Sequence, residues 1–404
     1  MQGKPFVLFC AGEDSGDVLG ESLVRSAVDN GMNVLGVGGP RMQRAGLTPV
    51  GDYETLPVSG FGDVLPHIFR LKKIFSQLES RLKSDDCVAL VCIDYPGFNM
   101  KLCRKALALK KPVLYVAPPQ VWAWKKHRAR CLKGAKLAVL FDFERRIYES
   151  LGLNADILEH PFLRAISPDM LAAGTRAIHP SEAAAANSAA VPNQDIILLP
   201  GSRESQALRN LPFFIAVASQ VHATNPEKNF VLAASRDSLK TQFERALVCA
   251  PAGTPNAGDI PAWLRIEVAP QGAKERADFY ARHAAALCMP GSATLELALS
   301  GVPLVVADVL DPLTYFIGKH FVKTDYFALP NILLRRGAVP EFFYTRRSAC
   351  KKSSVAAVAD ALGKCNAETS RGIADDLDKT FVDAKNPESL MLEFLGEFVK
   401  RDAH

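Results

Sequence analysis

No stretch of this chain approaches the roughly twenty consecutive apolar residues that a membrane-spanning helix needs. The Ala-rich segment near Ala284 is broken by Pro290, Gly291 and Glu296. The opening run Phe6 to Ala11 is too short for the apolar part of a signal peptide, and Glu13 and Asp14 follow at once. HExxH and GxxxxGK[ST] are both missing, which disfavours metalloprotease chemistry and P-loop nucleotide hydrolysis. Nine cysteines occur without a CxxC pair or zinc-ligand spacing. They are expected to be reduced, small core residues in a reducing compartment. There are 48 basic against 43 acidic residues, a net charge of +5. That lacks the dense basic stripe of a nucleic-acid binder, yet suits an anionic substrate or a membrane surface. The expectation is a cytosolic protein with no nucleic-acid partner, no metal site and no cofactor.

What is present is a repeated α/β pattern. The chain has 404 residues, 48% of them hydrophobic, enough for two packed domains. Apolar runs at Phe6–Cys10, Asn33–Val37, Val88–Ile93 and Val113–Val116 each end in a loop of small or turn-forming residues. Helical patterns lie between them, so a parallel sheet covered on both faces is predicted. Residues 164–195 interrupt the pattern, and Ala183–Ala190 holds little but alanine and serine, which reads as a linker or insertion. The alternation restarts at Asp195–Leu199, Phe230–Ala234, Ala285–Met289 and Pro303–Ala307. The predicted layout is an N-terminal domain over 1–163, a C-terminal domain over 196–345 and a helical tail over 346–404. Two such halves predict a ligand cleft at the carboxyl ends of their strands.

Two loops in the second half carry the clearest chemistry. Pro200-Gly201-Ser202-Arg203 and Pro290-Gly291-Ser292-Ala293-Thr294 each follow a strand and open a helix. Backbone N–H groups and the helix dipole favour an anion there, and Arg203 adds a planar fork for phosphate oxygens. Glu296, one turn further on, is placed to accept hydrogen bonds from ribose hydroxyls. The plainer alternative for each loop is an ordinary turn with a Ser or Thr cap. In the first half, Asp94 directly follows a very apolar strand, at the sheet edge where ligands bind; a turn carboxylate is the other reading. His127 and His160 are candidate bases, although an isolated histidine is more often structural. Asp376-Leu377-Asp378 lies in the polar tail and reads as a solvated helix face.

Val64, Ile68, Leu71, Phe75, Leu78 and Leu82 follow helical spacing, with Pro66 suited to the first turn. Leu65, Phe69 and Ile74 widen that stripe, Arg70, Lys72 and Lys73 flank it, and Phe61 precedes it. One reading is a buried helix with a solvated basic edge. The other is a helix that docks on lipid and admits acyl chains.

Ordered motifs then bring in a resemblance. Ala11-Gly12-Glu13-Asp14-Ser15-Gly16-Asp17, Gly38-Gly39-Pro40-Arg41-Met42, Ile93-Asp94-Tyr95-Pro96-Gly97-Phe98-Asn99 and Val121-Trp122-Ala123-Trp124 lie in the first half. Leu198-Leu199-Pro200-Gly201-Ser202-Arg203, Ala293-Thr294-Leu295-Glu296, Leu313-Thr314, Val322-Lys323-Thr324-Asp325-Tyr326 and Leu329-Pro330-Asn331 lie in the second. Together, from about residue 6 to about 345, they resemble the lipid-A-disaccharide synthases. The resemblance implies a GT-B glycosyltransferase of two Rossmann-like domains with a cleft between them. It implies metal-free, inverting transfer from UDP-2,3-diacylglucosamine to 2,3-diacylglucosamine 1-phosphate (lipid X) at the inner face of the inner membrane. It also implies a tendency towards homodimers. It makes Asp94 the catalytic base, adds Arg203 and Asn331 to the catalytic set, and adds Glu13, Ser15 and Trp124 to the acceptor or acyl side. The chain departs from the family pattern at Gly97, Ala117, Glu159 and Tyr344. A UDP-sugar epimerase of the same architecture, a non-catalytic UDP-sugar-binding protein and a structural module are the competing readings.

Overall fold

Phe6–Ala11 (β1) has every side chain buried, and Cys87–Ile93 (β4) all but one. A strand apolar on both sides needs cover on both sides, which a parallel sheet with crossover helices supplies. The computed structural model describes residues 4–53, 64–119, 126–166, 195–249, 259–311, 325–381 and 384–399. The chain divides into two units, Met1–Pro161 with Phe381–His404, and Phe162–Thr380.

In the first unit β1 is followed by α1 (Asp14–Asp29), β2 (Asn33–Val37), α2 (Pro40–Arg44), β3 (Thr48–Pro49) and α3 (Val64–Leu82). After β4 come α4 (Pro96–Ala108), β5 (Val113–Val116), a 3-10 segment at Lys126–Leu132, β6 (Lys136–Val139), α5 (Asp142–Ser150) and β7 (Ala155–Ile157). Seven strands pair in the order β3-β2-β1-β4-β5-β6-β7, all parallel. Alternate residues of β1 enter two cores. Leu8 and Cys10 pack in a cluster with Leu78 and Leu82 of α3 and Leu102 and Cys103 of α4. Val7 and Phe9 belong to a second cluster, with Leu23, Val24 and Ala27 of α1.

α6 (Pro161–Ile166) follows β7, and the second unit continues with β8 (Ile196–Leu199), α7 (Glu204–Thr224), β9 (Phe230–Ala234), α8 (Asp237–Val248) and β10 (Leu264–Val268). Then come α9 (Ala273–Ala281), β11 (Ala285–Cys288), α10 (Ser292–Leu299), β12 (Leu304–Leu310), α11 (Leu329–Leu334) and β13 (Glu341–Thr345). Its six strands are parallel in the order β10-β9-β8-β11-β12-β13. The two α/β halves expected from the pattern are therefore present.

The predicted helical tail is not one piece. α12 (Arg346–Ala349), α13 (Lys352–Gly363) and α14 (Ala367–Asp378) stay with the second unit, while α15 (Pro387–Val399) returns to the first. Leu390, Met391 and Phe394 of α15 are buried in the α1-side cluster. At about 1.5–3 kcal/mol for each fully buried side chain of this size, they help to complete that core. Lys385 also extends the β7 edge: its N–H donates to the Ile157 carbonyl at 2.8 Å, and its carbonyl accepts from the Glu159 N–H at 2.9 Å. Most of the Ala-rich segment, residues 167–194, lies outside the described residues. Asp376 behaves as a surface group, paired with Arg336 at 2.6 Å and Lys379 at 3.2 Å.

Candidate active site

In each sheet the strand order reverses direction once, between β1 and β4 and between β8 and β11. At such a crossover the neighbouring connections leave on opposite faces of the sheet and open a crevice beyond the strand ends. Four of the sequence motifs, those of Glu13, Asp94, Arg203 and Glu296, lie at these two places.

At the first crossover, Glu13 and Ser15 follow β1, and Asp94 and Tyr95 follow β4. Ser15 Oγ donates to Asp94 Oδ2 at 3.2 Å. Asp94 and Tyr95 both have φ of +49°. Left-handed backbone costs an L-residue roughly 1–2 kcal/mol, less for aspartate than for tyrosine, so the surroundings must hold it. The Asp94 N–H donates to the Val116 carbonyl at 2.9 Å, and the Tyr115 hydroxyl donates to the Asp94 carbonyl at 3.2 Å. The Tyr95 ring lies over Gly12, where any Cβ would collide with it. Burial, then the charge of Glu13 and the nearby Cys10, push the Tyr95 phenol up to about 12. Gly97 is exposed in the first turn of α4 with open space about its Cα.

At the second crossover, Gly201 has φ of +138°, and a Cβ there would stand 2.7 Å from Met289 Sδ. Glycine is required on both counts. Ser202, Arg203, Gly291 and Ser292 are exposed, and Ala293 is half-buried. Arg203 caps α7 with extended backbone, so its side chain stands at the helix N-terminus. Arg236, just after β9, donates from Nη1 to the Ser202 carbonyl at 3.0 Å, adding a second guanidinium to this edge.

Three expected ligand contacts behave differently. Thr294 is fully buried, and its hydroxyl donates to the Gly291 carbonyl at 2.7 Å. It braces the loop from within, because its one O–H is spent on its own turn. Asn331 is also buried. Its Nδ2 donates to the Val339 carbonyl at 2.8 Å and to Glu341 Oε1 at 2.7 Å, and its Oδ1 accepts from the Val339 N–H at 2.8 Å. With both amide protons and one acceptor position engaged, it braces the turn before β13. Glu296 is held in a two-pronged fork by Arg276, at 2.7 Å from Nε and 2.9 Å from Nη2. A carboxylate has about four acceptor positions, so the fork orients Glu296 and leaves acceptor capacity.

Two buried asparagines and Arg276 carry roles the sequence reading did not assign. Asn210, inside α7, donates to the Pro200 carbonyl at 2.9 Å and accepts from the Val309 N–H at 2.7 Å. Asn99, in the first turns of α4, serves the first crossover. An asparagine within an otherwise apolar helical face was the available signal. Asp308 on β12 is buried beside Asn210, and burial pushes its carboxyl up.

The remaining candidates lie elsewhere. His160 is buried, with its ring 6.0 Å from Phe141 and 6.3 Å from Phe381. It follows β7, the edge strand three places from β4, or about 14 Å at the usual strand spacing; it does not join Asp94. On α3, Ile74 is buried with Leu78 and Leu82, so it is core and not part of an outer stripe. Phe69 is 67% exposed, with Lys72 Nζ 5.8 Å from its ring centre and Lys73 exposed nearby. Phe61 and Trp124 lie outside the described residues, as do the side chains of Val64, Leu65, Ile68 and His127. Among the described residues no group of three or more His, Cys, Asp or Glu side chains is placed to hold a metal ion. Nor is any of their helices long and apolar enough to cross a membrane.

Comparison with known proteins now decides the family. The lipid-A-disaccharide synthetase family model matches residues 7–392. The chain belongs to the lipid-A-disaccharide synthase family. It is thereby an enzyme, a glycosyltransferase of lipid A biosynthesis. The lipid-A-disaccharide synthase of Geobacter sulfurreducens is 32% identical over 349 residues, covering 85% of this chain and 84% of that protein. That of Trichlorobacter lovleyi is 32% identical over 338 residues, covering 82% of each. Solved structures show the same GT-B fold at low identity. A putative UDP-N-acetylglucosamine 2-epimerase from Listeria monocytogenes superposes with a TM-score of 0.59 at 11% identity, covering 99% of this chain and 98% of that one. A spinosyn rhamnosyltransferase complexed with thymidine diphosphate gives 0.53 at 13%, covering 96% and 99%. Epimerases and transferases share this architecture, so the fold does not separate them; the family does.

Proposed function

We propose that this synthase transfers 2,3-diacylglucosamine from its UDP conjugate to the 6-hydroxyl of 2,3-diacylglucosamine 1-phosphate, with inversion. The observation that carries the reading is Asp94, a carboxylate at the first crossover oriented by Ser15 at 3.2 Å. Asp94 takes the proton of the acceptor hydroxyl as that oxygen attacks the anomeric carbon. The bond from that carbon to the β-phosphate oxygen breaks, and UDP departs with the electron pair. The carboxylate acts by its placement against the acceptor hydroxyl. General-base assistance of this kind contributes about 10²–10⁴-fold.

The departing diphosphate gathers negative charge. The N-termini of α7 and α10, with Gly201, Ser202, Arg203, Gly291, Ser292 and Ala293, supply N–H groups and one guanidinium to meet it. These groups do for the leaving group what a divalent cation does in other transferases. Glu296, held by Arg276, accepts from the ribose hydroxyls. Glu13 and Ser15 lie on the acceptor side. Phe69, Lys72 and Lys73 dock α3 on an anionic bilayer, where the two acylated substrates reside; each basic residue there adds about 1 kcal/mol.

The test follows UDP release and disaccharide formation from the UDP-diacylglucosamine, with and without lipid X. UDP release that requires lipid X and matches disaccharide formation supports the transferase. Conversion of the UDP-sugar without lipid X would point to an epimerase, and binding without turnover to a non-catalytic protein.

A further inference from the structure

Asn99 is fully buried. Its Nδ2 has two N–H groups and lies within hydrogen-bond distance of three backbone carbonyls, Cys10 at 3.0 Å, Ile93 at 3.1 Å and Asp94 at 2.9 Å, so one N–H is shared between two of them. Cys10 and Ile93 lie at the carboxyl ends of β1 and β4, the two strands that flank the crossover. One amide group therefore ties together both strand ends and the residue that carries the acid. The Asn99 N–H also donates to the Tyr95 carbonyl at 3.0 Å, closing the turn from the other side.

A buried carbonyl needs a donor whatever the protein does, and Asn99 meets that need at Cys10 and Ile93. The third bond does something else. Asp94 holds a φ of +49°, and a return to ordinary negative φ would re-aim its Cα–Cβ bond and carry the carboxylate away from Ser15. The bonds to the Asp94 carbonyl resist that rotation. Asn99 reaches no carboxylate oxygen itself.

We propose that Asn99 is a positioning residue for the transfer, acting through Asp94 by fixing the backbone that aims the carboxylate. The inference rests on Asp94 being the base. It predicts a loss of turnover with substrate binding intact, because the diphosphate loops belong to the other unit.

The experiment uses the full-length enzyme with Asn99→Leu, which keeps the volume and removes the donors, and Asn99→Ser, which keeps one donor. Asp94→Asn and the Asp94→Asn/Asn99→Leu double variant complete a cycle. Asn99→Leu should lower kcat about a hundredfold, the scale of an ångström's misplacement, with KM for the UDP-sugar and calorimetric UDP affinity unchanged. Asn99→Ser should regain part of that loss. In the Asp94→Asn background Asn99→Leu should cost nothing more, since no base remains to be aimed. Should Asn99→Leu fail to fold, Asn99→Ser, checked by thermal melting, carries the test alone. Wild-type kcat in a folded Asn99 variant overturns the proposal, as does a loss that multiplies fully in the double variant. A fall in UDP binding in step with kcat also overturns it, leaving a fold brace only. Asp94→Asn at wild-type turnover would instead overturn the base assignment, whereas an impaired Asp94→Asn beside a normal Asn99→Leu removes the positioning role alone.

Discussion

The two crossovers use one scaffold to present opposite chemistry. At the β1/β4 edge the chain offers a carboxylate; at the β8/β11 edge it offers backbone N–H groups and a guanidinium. Each loop is pinned by a buried asparagine in the following helix, Asn99 in one unit and Asn210 in the other. The difference lies in how the backbone turns. The second crossover reaches its positive φ with Gly201, where a Cβ would also meet Met289 Sδ. The first reaches it with Asp94 and Tyr95, two residues for which that conformation is strained. The proposed mechanism needs a side chain there, and hydrogen bonds from Asn99 and Tyr115 to the Asp94 carbonyl offset the strain.

That contrast is broken most directly by removing the acid. Asp94→Asn keeps the shape and the left-handed tolerance but not the basicity. Turnover should fall at least about a hundredfold while UDP still binds; near-normal turnover with saturating lipid X would move the base elsewhere. At the other crossover Arg203→Ala should cost about 10²–10³ in kcat, the effect of losing one oxyanion-type donor. The same measurement in EDTA should leave the wild type unaffected, and activity that EDTA abolishes and Mg²⁺ restores would speak against charge neutralisation by N–H groups and Arg203 alone.

Arg276→Leu asks how firmly the second crossover depends on the Glu296 fork. It strands a carboxylate that is 8% exposed, so unfolding by urea should show a loss of about 3 kcal/mol. An unchanged midpoint would mean that Glu296 finds water or another donor. On α3, Phe69→Ser combined with Lys72→Glu and Lys73→Glu should lower co-sedimentation with anionic liposomes and leave UDP affinity alone. Equal sedimentation of variant and wild type would remove the membrane role from this helix.

The smallest expected effect sharpens the first crossover by pH. Tyr95 has its phenol raised from 10.0 to about 12 by burial, then by Glu13 and Cys10. A raised pKa means that the folded state keeps the proton that the unfolded chain gives up. The stabilisation is full below about pH 10 and declines as pH climbs through 12. Tyr95→Phe should therefore show a shallower fall in urea midpoint between pH 9 and pH 11 than the wild type. Parallel slopes would show that the phenol is not linked to folding.

Much of the fold could be read along the chain because the central strands are buried on both faces. β1, β2, β4, β5, β8, β9, β11 and β12 were all visible as apolar runs. β3, β6, β7, β10 and β13 were not: Thr48–Pro49, Lys136–Val139 and Ala155–Ile157 are short, and Leu264–Val268 mixes Arg265 and Glu267 into an edge strand. An edge strand needs little continuous apolar sequence, so it leaves a weak signal. The small-residue loops and Asp94 were legible for a related reason, since turn residues directly after a buried strand mark the sheet's carboxyl edge.

By itself, the sequence determined the two α/β halves, the loops at their strand ends and the family motifs, all of which depend on neighbours within a few residues. Tertiary structure alone decided which motif residues face outward and which are consumed inside. Thr294 looked like a ligand contact, yet its hydroxyl is spent on Gly291, and the buried amide of Asn331 is engaged by Val339 and Glu341. Ile74 looked like part of an outer stripe and is core. α15 looked like tail and completes the first unit. The fork of Arg276 on Glu296 joins residues 20 positions apart, and the amide of Asn99 reaches a carbonyl 89 positions away. Such partnerships arise only when separate strands and helices are brought together. Burial then requires each polar group to find a partner, and no local pattern of residue types says which one it will be.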